Sequence, residues 1–185
     1  MSVNRFYKTC INRGFQQQGF TLVELIIVIL LIAIVSAYAA SRLSGRDSFA
    51  AFAAQEQVTS VVRQVQVNRM QSNVDLGSVV GESNFILAIV GNCIGSEVSC
   101  TARSQASSDW VMLNGITLTA ASNTTPAIPL SLVNFDLLGN PTTGETPTGV
   151  VVNVAAGVVI TITSNVNTCR VEINSQGYVE NGVCS

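Results

Sequence analysis

The 185 residues suffice for one domain, or one domain with an appendage, and not for a two-domain enzyme. Of them 48% are hydrophobic and only 11% charged, against a usual charged share of about 25%, which excludes a disordered chain or a nucleic-acid binder and calls for a membrane or an apolar assembly. The net charge is −2, there is no His, and the single Lys is Lys8; this removes His-based acid/base catalysis, His metal ligation and any Schiff-base or P-loop lysine beyond the first few residues.

Residues 1–19 carry Arg5, Lys8 and Arg13 and no acid. Residues 20–40 then read FTLVELIIVILLIAIVSAYAA, with Glu24 the one charge. As a helix this run rises about 31 Å, matching a hydrocarbon core of roughly 30 Å. The basic flank keeps residues 1–19 in the cytoplasm and sends the remainder outward, an N-in, C-out topology. Three readings compete for the run. A secretory signal would be cut after Ala37-Tyr38-Ala39. A permanent single-pass anchor would let Glu24 snorkel to the cytoplasmic headgroups. The third reading asks what gains from a carboxylate that costs roughly 2.5 to 3.5 kcal/mol at a helix centre.

From 20 to 73 there is no Pro and the one Gly is Gly45, so a helix of about 54 residues can run through the span and beyond it. Past Ala40 the pattern turns amphipathic. Ala51, Ala54, Val58, Val61, Val62 and Val65 recur at three- and four-residue steps, while Glu56, Arg63, Gln64 and Gln66 face elsewhere. The apolar face is expected to pack on a sheet. Gly45, between Arg42 and Arg46, is the weak point of the helix, and the two arginines read as solvated interface residues.

After Asn73 the composition shifts to Gly, Ser, Thr, Asn and Val, the signature of short strands and loops. Strands are expected at 85–90, 111–113, 116–120, 150–154, 158–163, 169–173 and 178–180. Asn153 to Gly157 and Asn174 to Gly177 read as hairpin connections of an antiparallel meander. Residues 122–149, rich in Ser, Asn, Thr, Pro and Gly, read as an exposed loop. No repeat of 20 to 50 residues and no extended heptad array is present. The fold class is α+β, one long N-terminal helix packed on a small antiparallel sheet. The organisation is a cytoplasmic leader at 1–19, the long helix at 20–73 with its transmembrane half at 20–40, and a globular β-rich head at 74–185.

Cys10 stands alone in the leader, leaving Cys93, Cys100, Cys169 and Cys184 in the exported part. An oxidising compartment makes two disulfides the expectation, and four Cys allow three connectivities. Local pairing is chosen: Cys93 with Cys100, and Cys169 with Cys184, the latter closing a C-terminal hairpin worth roughly 3 kcal/mol in the loop-entropy account. A zinc site lacks both close Cys pairs and His, so no metal and no cofactor is expected. The many Ser and Thr have no His partner, and Asp109, Asp136 and Glu145 stand isolated as solvated turn formers, so no catalytic residue and no enzyme activity are expected. Trp110 could stack on a sugar, though a lone Trp more often anchors a core or interface. Residues 75–185 hold eight acids against Arg103 and Arg170, which argues against nucleic acid as a partner.

Gly19-Phe20-Thr21-Leu22-Val23-Glu24 followed by an apolar helix resembles the type III signal of the type IV pilin-like family, which includes type IV pilins and type II secretion pseudopilins. The resemblance implies that a prepilin peptidase cuts between Gly19 and Phe20 and N-methylates Phe20, leaving the apolar helix in the mature chain. Six Arg would then face 11 acids, a net charge of −5. It also implies that the Glu24 carboxylate meets the N-terminal amine of a neighbouring subunit during assembly. A closer likeness is to minor pilins of the C type from mannose-sensitive haemagglutinin (MSHA) pili, through residues 20–73 with the QVTSVVRQVQVNRMQSN run from Gln57 to Asn73, and more loosely through the Phe135 to Gly139 turn and the Cys169 to Cys184 hairpin. The head is also similar to H-type minor pseudopilins. Ser41 stands where many major pilins carry Pro.

The implied function is a minor, non-catalytic structural subunit for assembly of an MSHA-like type IV pilus, with roles in pilus biogenesis and adhesion. Its partners would be other pilin subunits, the prepilin peptidase and an inner-membrane assembly platform. It would be held in the inner membrane before assembly and then reach the pilus at the surface of a Gram-negative bacterium. The alternatives are a type II secretion minor pseudopilin and, in another class, a secreted binding module released by signal peptidase.

Overall fold

The computed structural model describes residues 20–74, 83–103 and 107–185, with the backbone alone for 41–48. The leader, including Gly19 and Cys10, lies outside the described residues. The fold is α+β. Helix α1 spans Leu22–Gln71, 50 residues, beginning and ending two residues inside the expected 20–73. Its backbone is helical across Gly45. It stops where the Ser72 N–H turns back onto the Arg69 carbonyl, at 3.1 Å, with the Ser72 hydroxyl on the same oxygen at 2.7 Å. The chain divides into two compact units at Ser41 and Arg42.

In the second unit the strands are β1 (Ile86–Val90), β2 (Cys93–Ser96), β3 (Trp110–Met112), β4 (Thr117–Ser122), β5 (Pro129–Leu130), β6 (Leu132–Phe135), β7 (Pro141–Glu145), β8 (Val151–Asn153), β9 (Gly157–Thr163), β10 (Thr168–Asn174) and β11 (Val179–Asn181). A short helix, α2 (Glu97–Ala102), follows β2. The expected single small sheet is in fact two. One runs β3-β2-β1-β6-β7-β8 and the other β11-β10-β9-β4-β5; every neighbouring pair is antiparallel. The chain crosses between them three times, after β3, after β5 and after β8.

The seven expected strands are present with ends displaced by a residue or two, and four more were missed. Residues 122–149 are not one exposed loop, because they contain β5, β6 and β7. The Leu-Val-Asn-Phe of β6 alternates, with Val133 and Phe135 fully buried, but four residues among Ser, Thr, Pro and Gly give a weak local signal. The pairing that fixes it is non-local, with Ile86 opposite Asn134. Asn153 to Gly157 is not a hairpin either: β8 belongs to one sheet and β9 to the other. The Asn174 to Gly177 turn does join paired strands, β10 and β11.

One core cluster joins α1 to both sheets. Ala51, Ala54, Val58, Val62 and Val65 of α1 meet Leu87, Ile94, Val133 and Phe135 of the first sheet and Leu118, Ile160, Ile162, Val171 and Ile173 of the second. The helix residues are those with apolar three- and four-residue spacing, each 0–3% exposed. Fully burying one such Val contributes about 1.5–3 kcal/mol relative to leaving it in water, so this face, not helix propensity, holds α1 on the sheets.

Candidate functional site: the exposed apolar helix and the polar seam

The first functional region is the start of α1. Thr21 caps it: the Thr21 Oγ1 accepts the Glu24 N–H at 3.2 Å, and the Thr21 carbonyl accepts the Leu25 N–H at 3.2 Å. A Thr followed three residues later by Glu is the capping-box spacing, and it places the Glu24 carboxylate in the first turn, where the helix dipole favours a negative charge. The sequence reading missed Thr21, although the spacing was visible. Glu24 therefore has a local reason for its position besides the one implied by the resemblance. The Phe20 side chain, ahead of the cap, is 82% exposed.

Behind the cap, Leu22–Ala40 is a 19-residue stretch of mean hydropathy 2.8 in which no residue is buried. Length and composition let it cross a membrane. A stretch apolar all round and exposed along its length requires lipid, other helices, or both.

The second region lies where the far half of α1 meets the C-terminal segment. The Gln55 Nε2 donates to the carbonyls of Arg170 (2.6 Å) and Gly182 (2.9 Å). Thr59 Oγ1 donates to the Asn181 side-chain oxygen at 2.6 Å, and the Asn181 amide donates to Glu56 at 2.7 Å. Arg63 Nη2 donates to the Val179 carbonyl at 2.8 Å. The Gln66 Nε2 is shared between the carbonyls of Gly177 (2.9 Å) and Gly139 (3.0 Å). As the helix advances from 55 to 66, its partners retreat from 182 to 177. This seam covers β11, an edge strand that would otherwise present unpaired backbone groups.

Gln66 was expected to face away from the core; it is 5% exposed and fully committed. Gly177, at φ +76°, lets the turn pass against the Gly139 carbonyl, where a Cβ would collide with that oxygen. Arg69, 2% exposed, closes the seam with Nε to the Phe135 carbonyl at 3.0 Å and Nη1 to the Val74 carbonyl at 2.7 Å. The signal for these residues was their own helical spacing beside the apolar stripe, but only the sheets decide which polar positions are covered.

Cys169 and Cys184 form a disulfide at the end of this seam, and the Cys184 sulfur lies 3.4 Å from the Gln55 Oε1. Cys93 and Cys100 form the second disulfide, linking β2 to α2. Trp110 is half-buried against this bridge with Ala88 and Leu132, which gives it a packing role. It sits opposite Gly95 in the register, where a Cβ would collide with the Trp110 backbone.

Two of the three acids read as solvated turn formers differ from that expectation. Asp109 is 6% exposed and accepts hydroxyl hydrogen bonds from Ser99, at 2.7 Å, and from Ser107. Burial alone would raise its carboxyl, but the hydroxyls of Ser107, Ser96 and Ser99 and its own backbone N–H outweigh it and hold the group below its ordinary value. Glu145 belongs to β7 and is not in a loop. Asp136 is a turn former: it accepts the N–H groups of Leu138 and Asn140 at 2.8 Å and the Asn140 side-chain amide at 2.9 Å. Its carboxyl is likewise held low, these donors together outweighing the upward push of burial. Among the described residues no three His, Cys, Asp or Glu side chains are placed to hold a metal ion.

Residues 14–40 match the family described as a prokaryotic N-terminal methylation motif. The match spans the proposed cleavage site, the cap and the apolar stretch, and it supports a type IV pilin-like or pseudopilin-like protein. No curated protein and no solved structure matches the chain.

Proposed function

We propose that the chain is a minor, non-catalytic subunit of an MSHA-like type IV pilus, acting in pilus biogenesis and adhesion. In this reading the prepilin peptidase cuts between Gly19 and Phe20 and methylates Phe20. Leu22–Ala40 holds the subunit in the inner membrane, N-in and C-out, until an assembly platform passes it to other pilin subunits at the cell surface. The observation that carries the reading is the coincidence of the methylation motif at 14–40 with an apolar helical stretch, Leu22–Ala40, of which no residue is buried. A cleaved signal has no use for a motif that leaves the helix in place, whereas a filament uses the same apolar surface twice, first against lipid and then against neighbouring helices.

Glu24 has a specific part in this reading, which is to meet the Phe20 amine of the next subunit. Without that carboxylate the amine enters an apolar core uncompensated, which costs several kcal/mol. Glu24→Ala is therefore expected to be inserted and cut at Phe20 yet to be depleted from sheared pili relative to the inner membrane. Wild-type incorporation of the processed variant would leave Glu24 with its capping position alone. A mature terminus at Ala40 would overturn the pilin reading itself. The motif supports a type II secretion pseudopilin equally; deletion of the gene separates the two, a pilus subunit stopping pilus formation and a pseudopilin stopping exoprotein export.

A further inference from the structure

The outer face of the β11-β10-β9-β4-β5 sheet carries a recess of about 430 Å³, within the range of about 300–1,000 Å³ usual for small-molecule sites. Strand register sets three polar side chains in one row across it: Thr119 of β4 lies opposite Thr161 of β9, and Thr161 opposite Arg170 of β10. Neighbours in such a row stand about 5 Å apart. All three line the recess. Among the described residues, neither the two hydroxyls nor the Arg170 guanidinium has a hydrogen-bond or ion-pair partner. Ala121, Val159 and Pro129 supply an apolar part of the lining. The β4–β5 loop is a fixed wall: the Ser122 Oγ accepts the Ile128 N–H at 2.9 Å and lies 2.7 Å from the Thr124 Oγ1, while the Asn123 N–H donates to the Gly157 carbonyl at 2.9 Å.

We propose that this recess binds a sugar unit bearing a carboxylate, with the carboxylate on Arg170, ring hydroxyls on Thr119 and Thr161, and the C–H face of the ring against Ala121, Val159 and Pro129. A guanidinium holds a carboxylate through two parallel N–H bonds, which fixes the orientation of what the carboxylate is attached to. Arg170 is the one charged side chain among the described residues of the lining, and residues 75–185 hold eight acids against Arg103 and Arg170. A single negative charge is therefore matched, and a dianion such as phosphate is not. Glu172, two residues along the same face of β10, does not take the guanidinium: its Oε1 lies toward Gly182, 3.5 Å from where a Cβ on that glycine would be. The recess opens on the other side of β10, over β9 and β4. Its row of side chains stands on paired strands beside a hydrogen-bonded loop, so little ordering is left for the ligand to impose.

The recess is built from the second unit alone, so the inference goes beyond the pilus reading and does not rest on it; the mature terminus and entry into pili test that reading and leave this one untouched. The experiment takes the full chain, ¹⁵N-labelled in a neutral detergent, and follows amide and Arg Nε–H signals during titration with galacturonate, glucuronate and N-acetylneuraminate, against galactose, glucose and acetate. At least one acidic sugar is expected to shift the signals of 119–124, 159–161 and 170 saturably, about ten-fold tighter than the neutral sugars, the worth of one charge-assisted bond pair at an open site. Arg170→Gln should abolish that ten-fold preference and leave neutral-sugar binding as it was. Its fold is safeguarded because the Arg170 group that holds Gln55 and Gly182 is the backbone carbonyl. Thr161→Val, which exchanges a hydroxyl for a methyl, should weaken acidic and neutral sugars alike. No saturable shift with any of the three acidic sugars overturns the proposal, as does a preference that survives Arg170→Gln. Acetate binding as tightly as the acidic sugars overturns it in favour of a bare anion site.

Discussion

One helix meets two different solvents. Across Leu22–Ala40 of α1 every side chain is exposed, and large apolar residues such as Leu30 and Ile34 are 57% and 67% open. From Ala51 to Val65 of the same helix a narrow apolar stripe is closed to 0–7%, flanked by polar side chains that bond to a sheet. The first stretch is apolar all round and exposed; the second is amphipathic and packs its apolar face on both sheets. Substitutions in the two stretches should consequently fail at different stages, one in assembly and the other in folding.

The sharpest break of this comparison pairs Phe135→Ala with Leu30→Ala. Phe135 is fully buried beneath the helix, and its truncation is expected to destabilise the second unit by about 3–5 kcal/mol. Leu30→Ala should leave the thermal unfolding of that unit unchanged in detergent, since Leu30 belongs to the other unit and is 57% exposed. A shift of similar size for both would mean that the two stretches are not energetically separate.

Next in size is Cys184→Ser. Loss of the Cys169–Cys184 link is expected to cost about 2–5 kcal/mol, and the loss should appear first as faster amide exchange at residues 179–185, where the disulfide ends the polar seam. Cys93→Ser should instead loosen α2 and Trp110, leaving the seam's exchange protected. Peptide mapping under non-reducing conditions checks both bridges directly.

Gln66→Leu tests the seam without touching a disulfide. It removes the donor shared by Gly139 and Gly177, leaving two acceptors beside the helix without it, at about 1–3 kcal/mol in chemical denaturation. Gln64→Leu, on the exposed side of the same turn, should stay within about 0.5 kcal/mol.

The smallest effect is acidic. The Asp109 and Asp136 carboxyls are held below their ordinary value in the folded chain. Their contribution is fully present above the unfolded carboxyl value of about 3.9 and is lost as pH falls through the lower folded value. Stability should therefore fall on acidification through that window, and Asp136→Asn should flatten the fall while lowering stability at neutral pH. An unchanged acid limb in the variant would show that the Asp136 turn contributes nothing to it.

Much of this molecule was legible in one dimension. The apolar stretch, the methylation motif within 14–40, the stripe from Ala51 to Val65 and the strong alternation of β9 are local patterns, and local patterns survive reading along the chain. The local Cys pairings chosen from the sequence, Cys93 with Cys100 and Cys169 with Cys184, are the ones the structure contains. Tertiary structure alone decided the rest. The division into two sheets, the burial of Gln66 and the pairing of β6 with β1 depend on partners tens of residues away, and Asp109 is buried only because the fold closes the serines at 96, 99 and 107 around it. A polar side chain or a four-residue run acquires its role only when such a partner is placed against it, because an amide or a carboxylate is as well satisfied by water as by protein until the surrounding core excludes the water.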